Sequence, residues 1–227
     1  RGWGIFKLLV LIGSLGFFIY GMKVMSEGLQ KAAGNRLRQM LGAITSNRWK
    51  GVLSGFGITS IVQSSSVTTV MTVSFVNAGL MTLRQSAGVM MGANIGTTIT
   101  AWLVVLLGFK LSINSYALVI IAFAAPLLFM RSNKAKAWAM ALFGFSILFI
   151  GLGYLKDAVP SLGADSQIVQ FFNDYSDAWY GPMMFVLLGT LVTIVIQSSS
   201  AAMALTLTMV HNGLIPFEVA CAMVLGE

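Results

Sequence analysis

Residues 61–69 read Ile-Val-Gln-Ser-Ser-Ser-Val-Thr-Thr, and residues 194–200 read Ile-Val-Ile-Gln-Ser-Ser-Ser. The tetrapeptide Gln63-Ser64-Ser65-Ser66 thus returns as Gln197-Ser198-Ser199-Ser200, 134 positions later. Both copies lie in strongly apolar surroundings. The chain has 227 residues, of which 57% are hydrophobic and 9% charged. Its mean hydropathy is +0.85, whereas an ordinary soluble domain carries about 25% charged residues. Apolar runs at 5–22, 87–109, 113–130 and 137–155 approach the ~20 residues a membrane-crossing helix needs. They are continuous and lack the alternation of barrel strands. The composition therefore predicts an all-α membrane protein.

The net charge of +7 reads as basic loops that set membrane orientation. No basic stretch is interleaved with aromatic residues, so nucleic acid is not an expected partner. The lone Cys221 and the lone His211 offer neither a disulfide nor a Cys/His metal site. No haem or nucleotide motif appears, and no cofactor is expected. Paired carboxylates and phosphate-loop motifs are missing as well, so an enzyme is not expected.

The tetrapeptide belongs to a larger duplication, and such repeats organise a fold. Gly55, Gln63–Ser66 and Asn77-Ala78-Gly79-Leu80 align with Gly189, Gln197–Ser200 and His211-Asn212-Gly213-Leu214 at an offset of 134. Upstream, Ser46–Gly51 aligns with Ser176–Gly181 at an offset of 130, at which Gly21 meets Gly151 and Glu27 meets Asp157. A second polar island, Gly92-Ala93-Asn94-Ile95-Gly96-Thr97-Thr98, follows the first copy. Its counterpart begins at Gly226-Glu227, where the sequence stops. The chain is therefore expected to be truncated relative to its own symmetry.

Each polar tetrapeptide could interrupt a spanning helix or form the tip of a half-depth hairpin. Arms 51–62 and 66–78 would each be about 18 Å long, too short for a ~30 Å core. Charge favours hairpins. Loops 23–50, 80–86 and 131–136 then share one side and hold ten of the 14 Lys and Arg. That side is expected to be cytoplasmic. Loop 156–181 and the N-terminus are expected outside. Three crossings between equivalent helices invert the second repeat, so both tips are expected near the midplane, as in secondary transporters. The expected fold is an inverted-repeat transporter with two re-entrant hairpins and broken transmembrane helices. Residues 1–130 form the first repeat: helix, surface helix, hairpin 51–79, broken helix 87–107, helix 113–130. Residues 131–227 form an incomplete second: helix 137–155, hairpin 182–212, start of a broken helix at 217–227. Residues 29–45 are expected to lie on the membrane surface as a basic amphipathic helix. Asn94–Thr98 is expected to break its helix, because Gly96 weakens helical backbone.

A hairpin tip joins opposite helix ends. Carbonyls closing the first arm, near Val62-Gln63, suit a hard cation such as sodium. N–H groups opening the second, near Ser65-Ser66, suit an anion, and serine is a favoured N-cap. The islands hold no Lys or Arg. Neutral donors beside a bound cation would make anion affinity depend on that cation, which is a means of coupling.

The doubled Gln-Ser-Ser-Ser, with Gly92–Thr98 after the first copy, resembles the sodium-phosphate cotransporter family, the type II transporters and their bacterial relatives. The resemblance spans Gly55–Ala101 and Gly189–Gly226. It implies a symporter that imports inorganic phosphate with sodium by alternating access. Ser64, Ser65, Ser66, Ser198, Ser199, Ser200 and Thr97 are candidate phosphate ligands. Gln63, Gln197, Asn94, Thr98, Ser64 and Ser198 are candidate sodium ligands, and Glu227 is a candidate coupling carboxylate. The expected setting is the plasma (inner) membrane, with lipid around a homodimer. A PhoU-like regulatory domain beyond the chain end is a further expected partner. The alternatives are transport of another oxyanion or a proton-coupled solute, and a non-transporting anchor or sensor.

Overall fold

The computed structural model describes residues 5–42, 48–159, 167–176 and 180–227, with no side-chain detail at 167 and 168. These residues build helices and short connections, with no strand among them. In order they are α1 (Ile5–Ala33), α2 (Arg36–Gly42), α3 (Arg48–Val62), α4 (Ser65–Asn77), α5 (Leu83–Leu103), a π-helical turn (Val104–Lys110), a 3-10 turn (Ile113–Tyr116), α6 (Ala117–Leu128), α7 (Asn133–Ala158), α8 (Gln167–Ser176), α9 (Gly181–Ile196), α10 (Ser199–His211) and α11 (Phe217–Gly226). Three stretches are long and apolar enough to cross a bilayer: Ile5–Ala33, Leu83–Lys110 and Asn133–Ala158. Phe6, Leu118, Phe123, Val195 and Leu225 are all more than 70% exposed, as expected of side chains facing lipid rather than water. The chain is an all-helical membrane protein.

Contacts divide the chain into two compact units. One comprises 20–103 and 116–147; the other comprises 1–19, 104–115 and 148–227. In the first, α3 and α5 meet along a stripe of small residues. A Cβ on Gly55 would strike the Val89 carbonyl, and one on Gly92 the Val52 carbonyl. A Cβ on Gly88 would meet the Arg48 carbonyl at 2.8 Å. Four-residue spacing puts Gly88, Gly92 and Gly96 on one helix face, where small residues let backbones approach. In the second unit, Gly189 faces the Met223 carbonyl and Gly226 the Val186 carbonyl. These are the same contacts displaced by 134 residues, so the duplication extends to packing.

Three expectations change. Helix α5 runs unbroken through Asn94–Thr98. Thr97 donates to the Ala93 carbonyl at 3.2 Å and Thr98 to the Ile95 carbonyl at 2.7 Å, so both hydroxyls are satisfied within the helix. Gly96 gives α5 its close approach to α3 instead of a break. The departure from α-helix comes later, at the π-helical turn. Second, the basic amphipathic segment is shorter than expected and is not free on the surface. Helix α1 runs on to Ala33, Gly34 turns the chain with φ +55°, and α2 holds seven residues. Leu37 and Leu41 of α2 are buried in a cluster with Ile58, Val62, Met81 and Val89. Residues 43–47 lie outside the described residues, as do 177–179, so most of the alignment at offset 130 cannot be compared in space. Third, the segment expected to be an outer loop contains α8, whose Val169 and Phe172 are buried with Phe185, Leu214 and Val219. At the offset of 130, α2 lands on 166–172, over the start of α8.

Candidate functional site

Both polar tetrapeptides are helix breaks of the same construction. Gln63 and Gln197 each adopt φ +57°, which costs a side-chain-bearing residue about 1–3 kcal/mol and clusters at functional sites. The next serine is extended, at φ −144° and ψ 107° for Ser64 and φ −151° and ψ 109° for Ser198. Each serine caps the following helix: Val67 N–H donates to Ser64 Oγ at 3.4 Å, and Ala201 N–H to Ser198 Oγ at 3.3 Å. At the first break the chain folds back. Thr59 Oγ1 and Thr68 Oγ1 share a hydrogen bond of 2.8 Å, whereas nine residues along a straight helix would span about 13 Å.

The hydrogen-bond ledger at each break leaves the same groups free. Gln63 N–H takes the Thr59 carbonyl and Gln63 Nε2 takes that of Ser60, at 2.7 and 2.6 Å. Gln197 N–H takes Thr193, and Gln197 Nε2 takes Ile194. The carbonyls of Ile61 and Val62, and of Val195 and Ile196, have no donor among the described residues. On the far side, Ser64 O accepts from Thr68 N–H and Ser198 O from Ala202 N–H. The N–H groups of Ser65 and Ser66, and of Ser199 and Ser200, have no acceptor among the described residues. The Gln63 and Gln197 carbonyls and the Ser64 and Ser198 N–H groups likewise have no partner among the described residues, so each break offers three free carbonyls beside three free N–H groups. The carbonyls suit a hard cation, the N–H groups an anion at a helix start.

The two copies differ around this shared core. Gln63 is 6% exposed, and its Oε1 accepts from Thr100 of α5 at 2.9 Å. Gln197 is exposed. Thr59 has Thr68 as partner, but Thr68 is replaced by Ala202 in the second copy, and the hydroxyl of the matching Thr193 is buried without a partner. Thr206 donates to Glu227 Oε1 at 2.6 Å, while Glu227 Oε2 is buried and unpartnered. Thr190 Oγ1 bridges to the Gly226 carbonyl at 3.0 Å.

The candidate residues fall into distinct places. Ser64–Ser66 and Gln63 lie at one break, and Ser198–Ser200 and Gln197 at the other. Glu227 lies beside α10 through Thr206. Thr97 is half-buried, and Asn94 and Thr98 are exposed on α5. Gly96 brings this part of α5 against Thr59, one turn before Gln63. The sequence reading overlooked Thr100 and Thr59 because lone threonines in apolar helices carry no motif. The 37-residue separation of Thr100 from Gln63 hides their bond. Thr190 could have been found from its place one residue after Gly189, the counterpart of Gly55. Among the described residues there is no cluster of three or more His, Cys, Asp or Glu; the oxygens at the breaks are those of carbonyls, hydroxyls and side-chain amides.

Comparison with known proteins fits this donor set. The Na+/Pi-cotransporter family matches residues 17–157 and 170–227. The chain belongs to the Na+/Pi-cotransporter family. This is a family of transporters and not of enzymes. The "Putative inorganic phosphate export protein YjbB" of Escherichia coli (strain K12) is 29% identical over 222 residues, covering 96% of this chain and 39% of that protein. "Uncharacterized protein YqeW" of Bacillus subtilis (strain 168) is 26% identical over 216 residues, covering 93% of this chain and 66% of that protein. "Sodium-dependent phosphate transport protein 2B" of Homo sapiens is 39% identical over 106 residues, covering 46% of this chain and 15% of that protein. The chain thus spans about two fifths of the length of YjbB. No solved structure matches it.

Proposed function

We propose that the full-length protein is a sodium-coupled symporter that imports inorganic phosphate across the plasma (inner) membrane by alternating access. The observation that carries this reading is the duplicated set of free N–H groups and free carbonyls at the breaks. Phosphate is taken by the N–H groups and hydroxyls of Ser64–Ser66 and Ser198–Ser200, with Thr97 near the first break. Sodium is taken by the free carbonyls and by Gln63, Gln197, Asn94 and Thr98. Because Thr100 already occupies one lone pair of Gln63 Oε1, sodium would use the other. Glu227 Oε2 adds a carboxyl oxygen that no described donor occupies.

Neutral donors hold a polyanion weakly without a cation nearby, so sodium raises phosphate affinity and phosphate raises sodium affinity by the same factor. Re-entrant placement of both hairpins is part of this proposal and is supported by the loop charge. The dimer, the PhoU-like partner and the cytoplasmic side of loops 23–50, 80–86 and 131–136 belong to it too. Export is the second reading, favoured by the name of a relative that aligns over 96% of this chain.

The test is flux of radiolabelled phosphate in proteoliposomes of the full-length protein, with opposed sodium and potassium solutions. Import predicts accumulation that follows an inward sodium gradient and collapses when the gradient is dissipated. Flux indifferent to sodium would sink the coupling, and accumulation only against the sodium gradient would favour export.

A further inference from the structure

A second polar site is built from residues that belong to neither break. In the unit that contains α8–α11, the last turns of α7 meet the segment 108–115 around a cavity of about 170 Å³. That is far larger than a single water requires. Its polar lining is Lys156, Asp157, Ser112, Asn114 and Ser115, with Phe109 among its apolar walls. The backbone here is specialised. The π-helical turn ends at Lys110, and Ser112 sits in the left-handed region at φ +49°. Both features recur at functional sites and cost stability elsewhere. The walls are also fixed. A Cβ on Gly153 would meet the Asn114 side-chain amide at 2.7 Å, so the glycine makes room for that amide. Asn212 Nδ2 donates to the Lys156 and Val159 carbonyls at 2.9 and 2.8 Å, which ties the end of α7 in place. The His211 ring stacks on Phe109 at 4.4 Å.

The ammonium is not a scaffold requirement, whereas the carboxylate recurs, since Asp157 corresponds to Glu27. At the offset of 130, Lys156 corresponds to Ser26 in the first copy, which is buried and accepts from Gln30. Neighbours in a helix do not face one another, and among the described residues Lys156 and Asp157 form no ion pair. One ammonium, two hydroxyls and an amide make a donor set for an oxyanion. Asp157 qualifies that: a carboxylate repels a fully ionised anion but accepts a hydrogen bond from one that still carries a hydroxyl. Phosphate keeps a proton at neutral pH and sulfate does not.

We propose that this cavity binds a protonated oxyanion, with Lys156 holding its charge and Asp157 accepting from its hydroxyl, as a site separate from the two helix breaks and independent of sodium. The proposal rests on the transport reading only for its choice of inorganic phosphate as probe.

The test uses the full-length protein in nanodiscs, with equilibrium binding of radiolabelled phosphate and sulfate in sodium-free potassium buffer. A sodium-free phosphate component is expected. Lys156→Gln should weaken it by roughly tenfold or more, the scale of a lost hydrogen bond to a charged group. Lys156→Arg should retain it, and Ser65→Pro with Ser199→Pro should leave it untouched. Asp157→Asn should admit sulfate. Absence of the component, or its survival in Lys156→Gln, overturns the site; continued exclusion of sulfate by Asp157→Asn overturns the protonated-oxyanion assignment. A measurement on the unaltered protein guards against misfolded variants: acetylation of Lys156, read by mass spectrometry, should be slowed by phosphate and not by sulfate. No protection also overturns the site. Failure of sodium-driven flux with this component present removes the transport reading alone.

Discussion

Replacing Ser65 with proline separates the backbone's contribution to anion binding from that of the side chain. Ser65 is the first residue of α4, and Ser64 before it is extended at φ −144° and ψ 107°. Proline is favoured at the first helical position because its missing N–H would lack an intrahelical partner anyway. Extended backbone is also what the residue before proline prefers. Ser65→Pro should therefore leave the fold intact while removing one of the free N–H groups. Ser65→Ala removes only the hydroxyl. A hydrogen bond to a charged group contributes about 1.5–3 kcal/mol, so the proline variant should bind phosphate roughly ten- to 150-fold more weakly than the alanine variant. The matching pair at Ser199, the first residue of α10, should behave alike. The assay is sodium-dependent phosphate binding to the full-length protein in nanodiscs, with thermal unfolding as the folding control. Equal affinity for the proline and alanine variants at both positions, with unfolding temperatures unchanged, would refute the assignment of these N–H groups to phosphate.

Thr100→Val leaves the buried Gln63 carbonyl without its donor; about 1–3 kcal/mol is at stake, and the sodium concentration for half-maximal uptake should rise roughly fivefold or more, with Thr100→Ser restoring it. Gln197→Gly should relieve the strain at φ +57° and raise stability by up to about 1 kcal/mol, yet lower sodium-dependent uptake; unchanged uptake would remove this amide from the site. Gly92→Ala should prevent folding, because its Cβ would strike the Val52 carbonyl. Gly13→Ala, with open space around it, should stabilise α1 by about 0.5–1 kcal/mol; thermal unfolding of the pair checks both.

The sequence carried the breaks because glutamine and three serines inside an apolar run have few bland explanations, and their repetition removes most of those. It carried α7 as a long apolar stretch bounded by polar residues, and α9–α11 through their alignment with the first copy. It misread Asn94–Thr98, where glycine and threonine suggested a broken helix. In place, Gly92 and Gly96 serve contact with α3, and the threonines bond within their own turn. Composition could not separate these uses, because a glycine that loosens a helix and one that admits a neighbour look alike without the neighbour. The cavity beside Lys156 was illegible for another reason. Its residues come from two segments about 40 positions apart, and its main signal is a left-handed serine. Helix α8 was hidden in a stretch whose charge drew attention to sidedness instead of to Val169 and Phe172.

The central claim is that each break couples a cation to an anion. The most direct measurement is phosphate affinity of the full-length protein at zero and saturating sodium, paired with sodium affinity at zero and saturating phosphate. The account predicts that sodium tightens the phosphate component sensitive to Ser65→Pro and Ser199→Pro by roughly fivefold or more, and that phosphate tightens sodium by the same factor. Phosphate binding at those positions that is indifferent to sodium would contradict it.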